Sequence, residues 1–290
     1  MLHTIAFHLG GRTTRPEIAS LSEPVPLLKG AWIERGPRDL IGRYLLGAAE
    51  AARLLGISLH MGRGLHRLVA INRANLASWA PLMPALQPDR NGATAENVIY
   101  LEGRDAQGGV VITEMVRRYQ WHGTSFKEEF ESRRFLYADP ATEGRENEIC
   151  VAAASIARQI TGGCQWYGGL WCRPDWRGRG LTALIPRVLR ALALTTWDLE
   201  TYAFGLVEIA AVEAGVLSNY QYDHNRHQPG AYIRNSYRPA VDWHLVWRSR
   251  QDVIDDLAAQ CGATTTRRTA DRPDTQRSPL SERQGSSSRS

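Results

Sequence analysis

The sequence predicts an α/β fold in which helices flank a central sheet, and three observations carry that prediction. Val98 to Leu101 and Val110 to Val116 are strand-like runs separated by Asp105 and Gly108-Gly109, the pattern of an antiparallel hairpin. Trp166, Tyr167, Leu170, Trp171 and Cys172 suit a strand that runs through glycines 178 and 180 into an amphipathic helix. Val241, Trp243, Leu245 and Trp247 alternate with Asp242, His244, Val246 and Arg248 at period two, as a closing, half-buried strand does.

The elements follow in chain order. The first 36 residues, punctuated by Pro16, Pro24 and Pro26, show no sustained period. From Asp39 the residues Leu40, Ile41, Tyr44, Leu45, Ala48, Ala52 and Leu55 keep helical spacing and stop at Gly56, a C-terminal glycine. A second helical pattern passes through Leu65, Leu68, Val69, Ile71, Leu76 and Trp79 until Pro81, Pro84 and Pro88 end it, so two helices are expected before the first strand. After the hairpin, Phe126, Phe130, Arg134 and Leu136 space like a short helix, and 138 to 148 read as a polar loop.

In the strongest stretch, Leu181, Leu184, Ile185, Val188, Leu189 and Leu192 fall at i, i+3, i+4, i+7, i+8 and i+11, one apolar helix face. Pro186 removes a hydrogen bond within it, and a local kink is expected there. Tyr202 to Ile209 reads as a strand and Ala210 to Leu217 as a helix. In Asp223, His224 and His227 two histidines stand three apart, but Asn225 and Pro229-Gly230 argue for a loop instead of a metal-binding helix.

Composition narrows the class. With 290 residues, 43% hydrophobic and 22% charged, the chain has material for a sizeable core. Its longest apolar stretches, 40 to 55 and 181 to 194, are interrupted by charges and fall short of the roughly 18 residues of a membrane span. No signal-peptide pattern opens the chain, so a cytoplasmic protein without a membrane partner is expected. Cys150, Cys164, Cys172 and Cys261 form no C-x-x-C pair and have no histidine at zinc-ligand spacing; they read as small hydrophobes plus one near a tail, with no metal.

The formal charge of +5 sits largely in 263 to 290, where six arginines face Asp271, Asp274 and Glu282. Nucleic acid is therefore an unfavoured partner for the rest of the chain. That segment has almost no large apolar residue and is expected to be a disordered tail. Lys29 and Lys127 are the only lysines, an arginine bias that fits a GC-rich bacterial genome.

A strand that gives way to a glycine turn and a helix aims free backbone N–H groups at one point, where the helix dipole also favours negative charge. Arg173, Arg177, Arg179 and Arg187 lie around the turn and are candidates for charge-assisted contacts, so an anionic cofactor is the natural occupant. The dinucleotide fingerprint fails because Ala183 stands at its third glycine, and the P-loop pattern fails because its lysine is missing.

The segment Arg177-Gly178-Arg179-Gly180-Leu181-Thr182 resembles the acyl-coenzyme A signature of the GNAT N-acyltransferase superfamily: Arg or Gln, two residues, Gly, one residue, then Gly or Ala. Thr182 departs from the last position. The order of elements over roughly 65 to 250 is similar as well.

The resemblance implies a central mixed, mostly antiparallel, splayed sheet. It also implies a division into an N-terminal extension with one helix (1–60), an acyltransferase domain (61–260) and a tail (261–290). It implies acetyl- or another acyl-coenzyme A as co-substrate, with the pantetheine arm held by backbone groups of Leu170, Trp171 and Cys172 and the diphosphate by Arg177, Gly178, Arg179, Gly180, Leu181 and Thr182.

Direct transfer to a small-molecule or peptide amine then needs a base, for which Glu208 is the candidate, and an acid, for which Tyr220 or Tyr222 stands in. The family's usual tyrosine position falls on Leu217. Trp166, Trp171, Trp176, Trp243 and Trp247 either line an acceptor pocket or fill a core. A coenzyme A-binding module without catalysis and a nucleic-acid-associated protein using the basic tail remain alternatives.

Overall fold

The computed structural model describes residues 23–219, 226–235 and 238–270. The chain opens with β1 (Val25–Pro26), the single turn α1 (Leu27–Gly30) and α2 (Arg38–Leu54), followed by β2 (Ser58–Arg63), α3 (His66–Ala74) and a turn α4 (Pro88–Asn91). The hairpin β3 (Val98–Arg104) and β4 (Val110–Trp121) leads to α5 (Phe126–Glu131), α6 (Pro140–Glu143) and β5 (Ile149–Ala152). The last part holds β6 (Gly162–Cys172), α7 (Leu181–Trp197), β7 (Tyr202–Glu208), α8 (Ile209–Glu213), α9 (Val216–Asn219), β8 (His227–Asn235), β9 (Arg238–Ser249) and α10 (Arg250–Ala270).

Among the described residues nine strands join one sheet in the order β1-β2-β3-β4-β6-β7-β9-β8-β5. Every neighbouring pair is antiparallel except β6 and β7. This is the mixed, mostly antiparallel sheet that the resemblance implies. The one parallel pair needs a crossover, and α7 supplies it.

Helices cover both faces. Ile41, Tyr44 and Ala52 of α2, Ile185, Val188 and Leu192 of α7 and Val253 and Leu257 of α10 pack on Ile99, Leu101, Ile112 and Val116 of the sheet. On the other face Leu68 of α3 and Phe126 and Phe130 of α5 meet Tyr100, Met115, Trp166, Phe204 and Leu245. There Trp166 and Trp247 are core residues, with 2% and 6% of their surface exposed.

Several elements differ from the sequence expectation. The expected boundary at 60 and 61 falls inside β2, and α2 packs in the main core, so the N-terminal helix is part of the same body. A strand therefore separates the two early helices: β2 alternates buried Leu59 and Met61 with less buried His60, a period too short to register in six residues. Helix α3 ends at Ala74, before Leu76 and Trp79, because the Asn75 side chain donates to Ile71 O at 2.8 Å and the Asn75 amide turns back to Asn72 O at 2.9 Å.

Residues 138 to 148 contain the single turn α6. Strands β5 and β8, like β1 and β2, were not anticipated, and His227 begins β8 instead of lying in a loop. Helix α10 continues to Ala270, past the expected start of the tail at 261. The helix predicted to stop at Gly56 closes as expected: Gly56 takes φ +82°, its amide donates to Arg53 O and that of Ile57 to Ala52 O, both at 3.0 Å. Helix α7 continues through Pro186 to Trp197.

Candidate functional site

The parallel ladder between β6 and β7 holds for three pairs, Gln165 with Ala203, Trp166 with Phe204 and Tyr167 with Gly205, and then stops. Beyond it both strands stay in the sheet through their outer neighbours. Thr113 and Ile112 of β4 still pair with Trp171 and Cys172, and Trp243 of β9 still pairs with Glu208. The strands thus separate from Gly168 and Leu206 onward, leaving an open edge on each side of a gap.

The break coincides with Gly168-Gly169. Gly169 takes φ +65°, and the β4 register shifts between Thr113 and Met115, so one residue of β4, Glu114, faces two of β6. Such a bulge bends a strand out of its ladder, and a glycine in the left-handed region relieves the steric cost. Sequence reasoning missed this pair, although two glycines inside an otherwise apolar strand are the usual signal for a bulge.

Backbone direction on the open edge follows from one hydrogen bond. The Arg173 amide donates to Val111 O on β4 at 2.8 Å. Backbone groups alternate sides along a strand, so Trp171 aims its own at Thr113 of β4 and Cys172 aims its groups at the gap. Of the three residues expected to hold an extended arm, Trp171 is therefore corrected: its backbone is spent on the sheet. Its side chain stacks on Trp79 at 5.4 Å and donates from Nε1 to Ser78 Oγ at 3.2 Å. Burial holds the Cys172 thiol above its usual pKa range, which does not favour a nucleophilic role.

At the end of β6 the chain makes a helical turn, Pro174–Trp176, and enters the glycine loop. Gly178 and Gly180 take φ +76° and +77°, and Gly180 caps α7 without a side-chain partner. A Cβ added at either glycine meets nothing within 4 Å, so these positions face open space. The amides of Gly178, Arg179, Gly180, Leu181 and Thr182 donate to no acceptor among the described residues; the first that do are Ala183 and Leu184, both to Gly180 O. Five free N–H groups therefore gather at the N-terminus of a 17-residue helix, beside the open edge of β6.

The four arginines expected around the turn divide sharply. Arg187 is buried and leaves the turn altogether, held by Asp256 of α10 at 3.0 Å with Arg190 on the same carboxylate at 3.2 Å. Arg173 is taken by Asp105 at 3.0 Å and Asp175 at 2.7 Å. Arg179 lies 4.4 Å over the Trp176 ring and donates to Asp175 O, while Arg177 donates from Nε to Cys172 O at 3.2 Å and so ties the loop to the strand end. Arg177 and Arg179 are the two exposed cations left at the turn.

Glu208 closes β7, exposed, directly opposite Trp243 and on the same face of the sheet. Tyr220 and Tyr222 lie outside the described residues, as do Asp223 and His224. Leu217 is buried on α9. His227 Nδ1 stands 3.1 Å from His244 Nδ1, and burial together with His227 lowers the His244 pKa. Glu114, beside the bulge, was also missed: fully buried, its carboxyl is pushed up to about 8 by burial, against the pull of Arg190.

Two surface cavities, of about 610 and 830 Å³, lie elsewhere, the first around His122 and Thr161 and the second around Arg133 and Arg234. Neither is lined by the turn or the strand gap. No group of three or more metal-ligating side chains occurs among the described residues, and no described helix is long and apolar enough to cross a membrane.

No protein-family model and no curated protein matches the chain. Among solved structures it is similar to Arabidopsis thaliana NAA60 in complex with acetyl-CoA, at 13% identity over 67% of this chain and 98% of that one, with a TM-score of 0.38. An acetyltransferase of the GNAT family from Streptococcus pneumoniae gives 14% identity over 66% and 99%, with a TM-score of 0.36. The spermidine/spermine N-acetyltransferase SpeG of Vibrio cholerae gives 10% over 68% and 98%, with a TM-score of 0.37. Neither identity nor superposition at this level transfers an activity to particular residues.

Proposed function

We propose that this chain is an acyl-coenzyme A dependent N-acyltransferase of the GNAT kind, acting by direct transfer, with acetyl as the acyl group and a small-molecule or peptide amine as acceptor. The observation that carries the reading is the set of five unpaired amides at the start of α7, next to a strand edge released from its ladder. An anion with a long, hydrogen-bonding arm suits that pair of features: the amides of Gly178 to Thr182 take a diphosphate, and the gap-facing backbone of Cys172 and Leu170 takes the arm. Open space at both glycines fits such a ligand, since any side chain there would stand between phosphate and backbone.

In this reading Glu208 takes a proton from the acceptor ammonium or amine. The amine nitrogen then bonds the thioester carbonyl carbon, a gap-facing N–H of β6 holds the oxygen, the carbon–sulfur bond breaks, and the departing thiolate takes a proton from an acid that solvent reprotonates, while Glu208 releases its proton to solvent. Tyr220 or Tyr222 is the proposed donor of that proton. Trp79, Trp171 and Trp243 stand on the Glu208 side of the sheet and form the walls against which an acceptor rests.

A second reading, a coenzyme A-binding module without catalysis, is favoured by one observation: a buried leucine, Leu217, occupies the position where the resemblance implies a tyrosine.

Thiol release from acetyl-coenzyme A with a panel of amines, run beside binding of coenzyme A by calorimetry, separates the two. Turnover that falls in Glu208→Gln supports the enzyme. Binding with no turnover across the panel supports the module. Absence of binding overturns both.

A further inference from the structure

One edge of the sheet, four strands from β6, holds a feature that acyl transfer does not use. The C-terminal end of α5 and strand β5 bound a surface cavity of about 830 Å³, on the third strand beyond β7. Its charged lining is Glu131, Arg133, Glu148 and Arg234, and these four are not equivalent. Glu131 is ion-paired with Lys127 and accepts the Ala152 amide at 3.2 Å. Glu148 has a partner of its own within the protein and opposes ionisation of the buried Tyr137 hydroxyl. Arg133 and Arg234, by contrast, make no side-chain hydrogen bond or ion pair with any described residue. Both carboxylates are thus satisfied and both guanidinium groups are free.

Backbone conformation marks the same place. Three non-glycine described residues have positive φ, and two of them, Arg133 at 67° and Asn147 at 56°, line this cavity. Arg133 follows Ser132, the C-cap of α5, at the position where glycine usually ends a helix. A side chain there crowds the following carbonyl oxygen and strains the backbone. An arginine kept at that cost, with its charge unpaired and turned to a cavity, is the kind of outlier from which a binding role is inferred. Arg234 is the cross-strand neighbour of Ile149, whose side chain is 41% exposed, so a cation and an apolar surface stand side by side on the cavity wall.

We propose that this cavity binds a small organic anion, a carboxylate or a phosphate, held by the guanidinium groups of Arg133 and Arg234 with its apolar part against Ile149. The site is separate from the turn at 178–182 and does not depend on the acyl-transfer reading.

The test is a titration of the full-length protein with inorganic phosphate and, separately, with citrate, followed by the ¹H–¹⁵N signals of Ile149 and Cys150. The expected result is a saturable shift at these amides with at least one probe, weakened tenfold or more in Arg133→Gly and again in Arg234→Gln. Glycine suits the left-handed backbone, so Arg133→Gly keeps or raises the melting temperature, and a lost shift is not a lost fold. Saturation by phosphate alone assigns a phosphate ligand and by citrate alone a carboxylate. Shifts at Gly178 to Thr182 are read separately and belong to the other site. No saturable shift at Ile149 and Cys150 with either probe, or shifts unchanged in both variants, overturns the proposal.

Discussion

Strand β6 is two strands in one. From Gln165 to Tyr167 it is laddered on both sides, to β4 and to β7; from Gly168 to Cys172 it is laddered to β4 only. The first stretch carries Trp166, fully surrounded in the core, and the second carries a left-handed glycine and an edge whose free backbone groups face a gap. A buried backbone normally finds partners for its polar groups, so a central strand that gives up its ladder on one side leaves those groups to solvent or, in the proposed reading, to a ligand. Completeness of the ladder thus separates what holds the molecule together from what the proposed function would use.

Mutations should respect that division. Trp166→Ala, in the laddered stretch, is expected to cost about 3–5 kcal/mol in chemical unfolding, because a large buried side chain is replaced by a cavity. Coenzyme A affinity of the fraction that remains folded should be unchanged. Glu114, across from the bulge, makes stability depend on pH. Its buried carboxyl is raised from an ordinary 4.5 to about 8, so the protonated form is the one the fold prefers. Its contribution is complete below 4.5 and is lost as pH climbs toward 8; urea midpoints should fall across that window, and Glu114→Gln should flatten the fall.

How much of this was legible depended on the length of each pattern. Helix α7 and its glycine turn could be read because six apolar residues repeat over three turns and two glycines interrupt them. Strand β9 could be read from four alternating pairs. The short strands were harder: β2 offers six residues with Gly62 among them, where even a methyl group would run into the Tyr100 ring, and propensity says little about such a packed glycine. β5 has four residues, and β8 contains Pro229 and Gly230, which argue locally for a loop while pairing with β9 overrides them.

The candidate site was legible as a backbone motif and less so as side chains. Arg187 sits two turns from the loop in sequence, yet its helical position points it at Asp256, a partner 69 residues away that no local pattern foretells. Trp171 changed its role because non-local pairing with β4, around a bulge at Gly169, decides which backbone groups face the sheet.

Smaller effects sharpen the comparison on the open side. Glu208→Gln is expected to lower kcat by about 10²-fold or more, the usual contribution of a general base, with stability changed by less than about 0.5 kcal/mol because the residue is exposed. A rate that survives the change would reassign the base. Gly180→Ala meets no neighbouring atom and strains only the backbone, so a stability loss of about 1–2 kcal/mol should accompany about a tenfold weaker grip on coenzyme A in calorimetry. An unchanged affinity would mean that the cap of α7 does not touch the ligand.

The most direct measurement is hydrogen exchange at the amides of Gly178, Arg179, Gly180, Leu181 and Thr182, with and without saturating coenzyme A. These N–H groups have no acceptor among the described residues and should exchange fast alone and become protected when the ligand is added, together with the gap-facing amide of Cys172. Equal exchange in the two samples, under conditions where coenzyme A is otherwise shown to bind, would contradict the account.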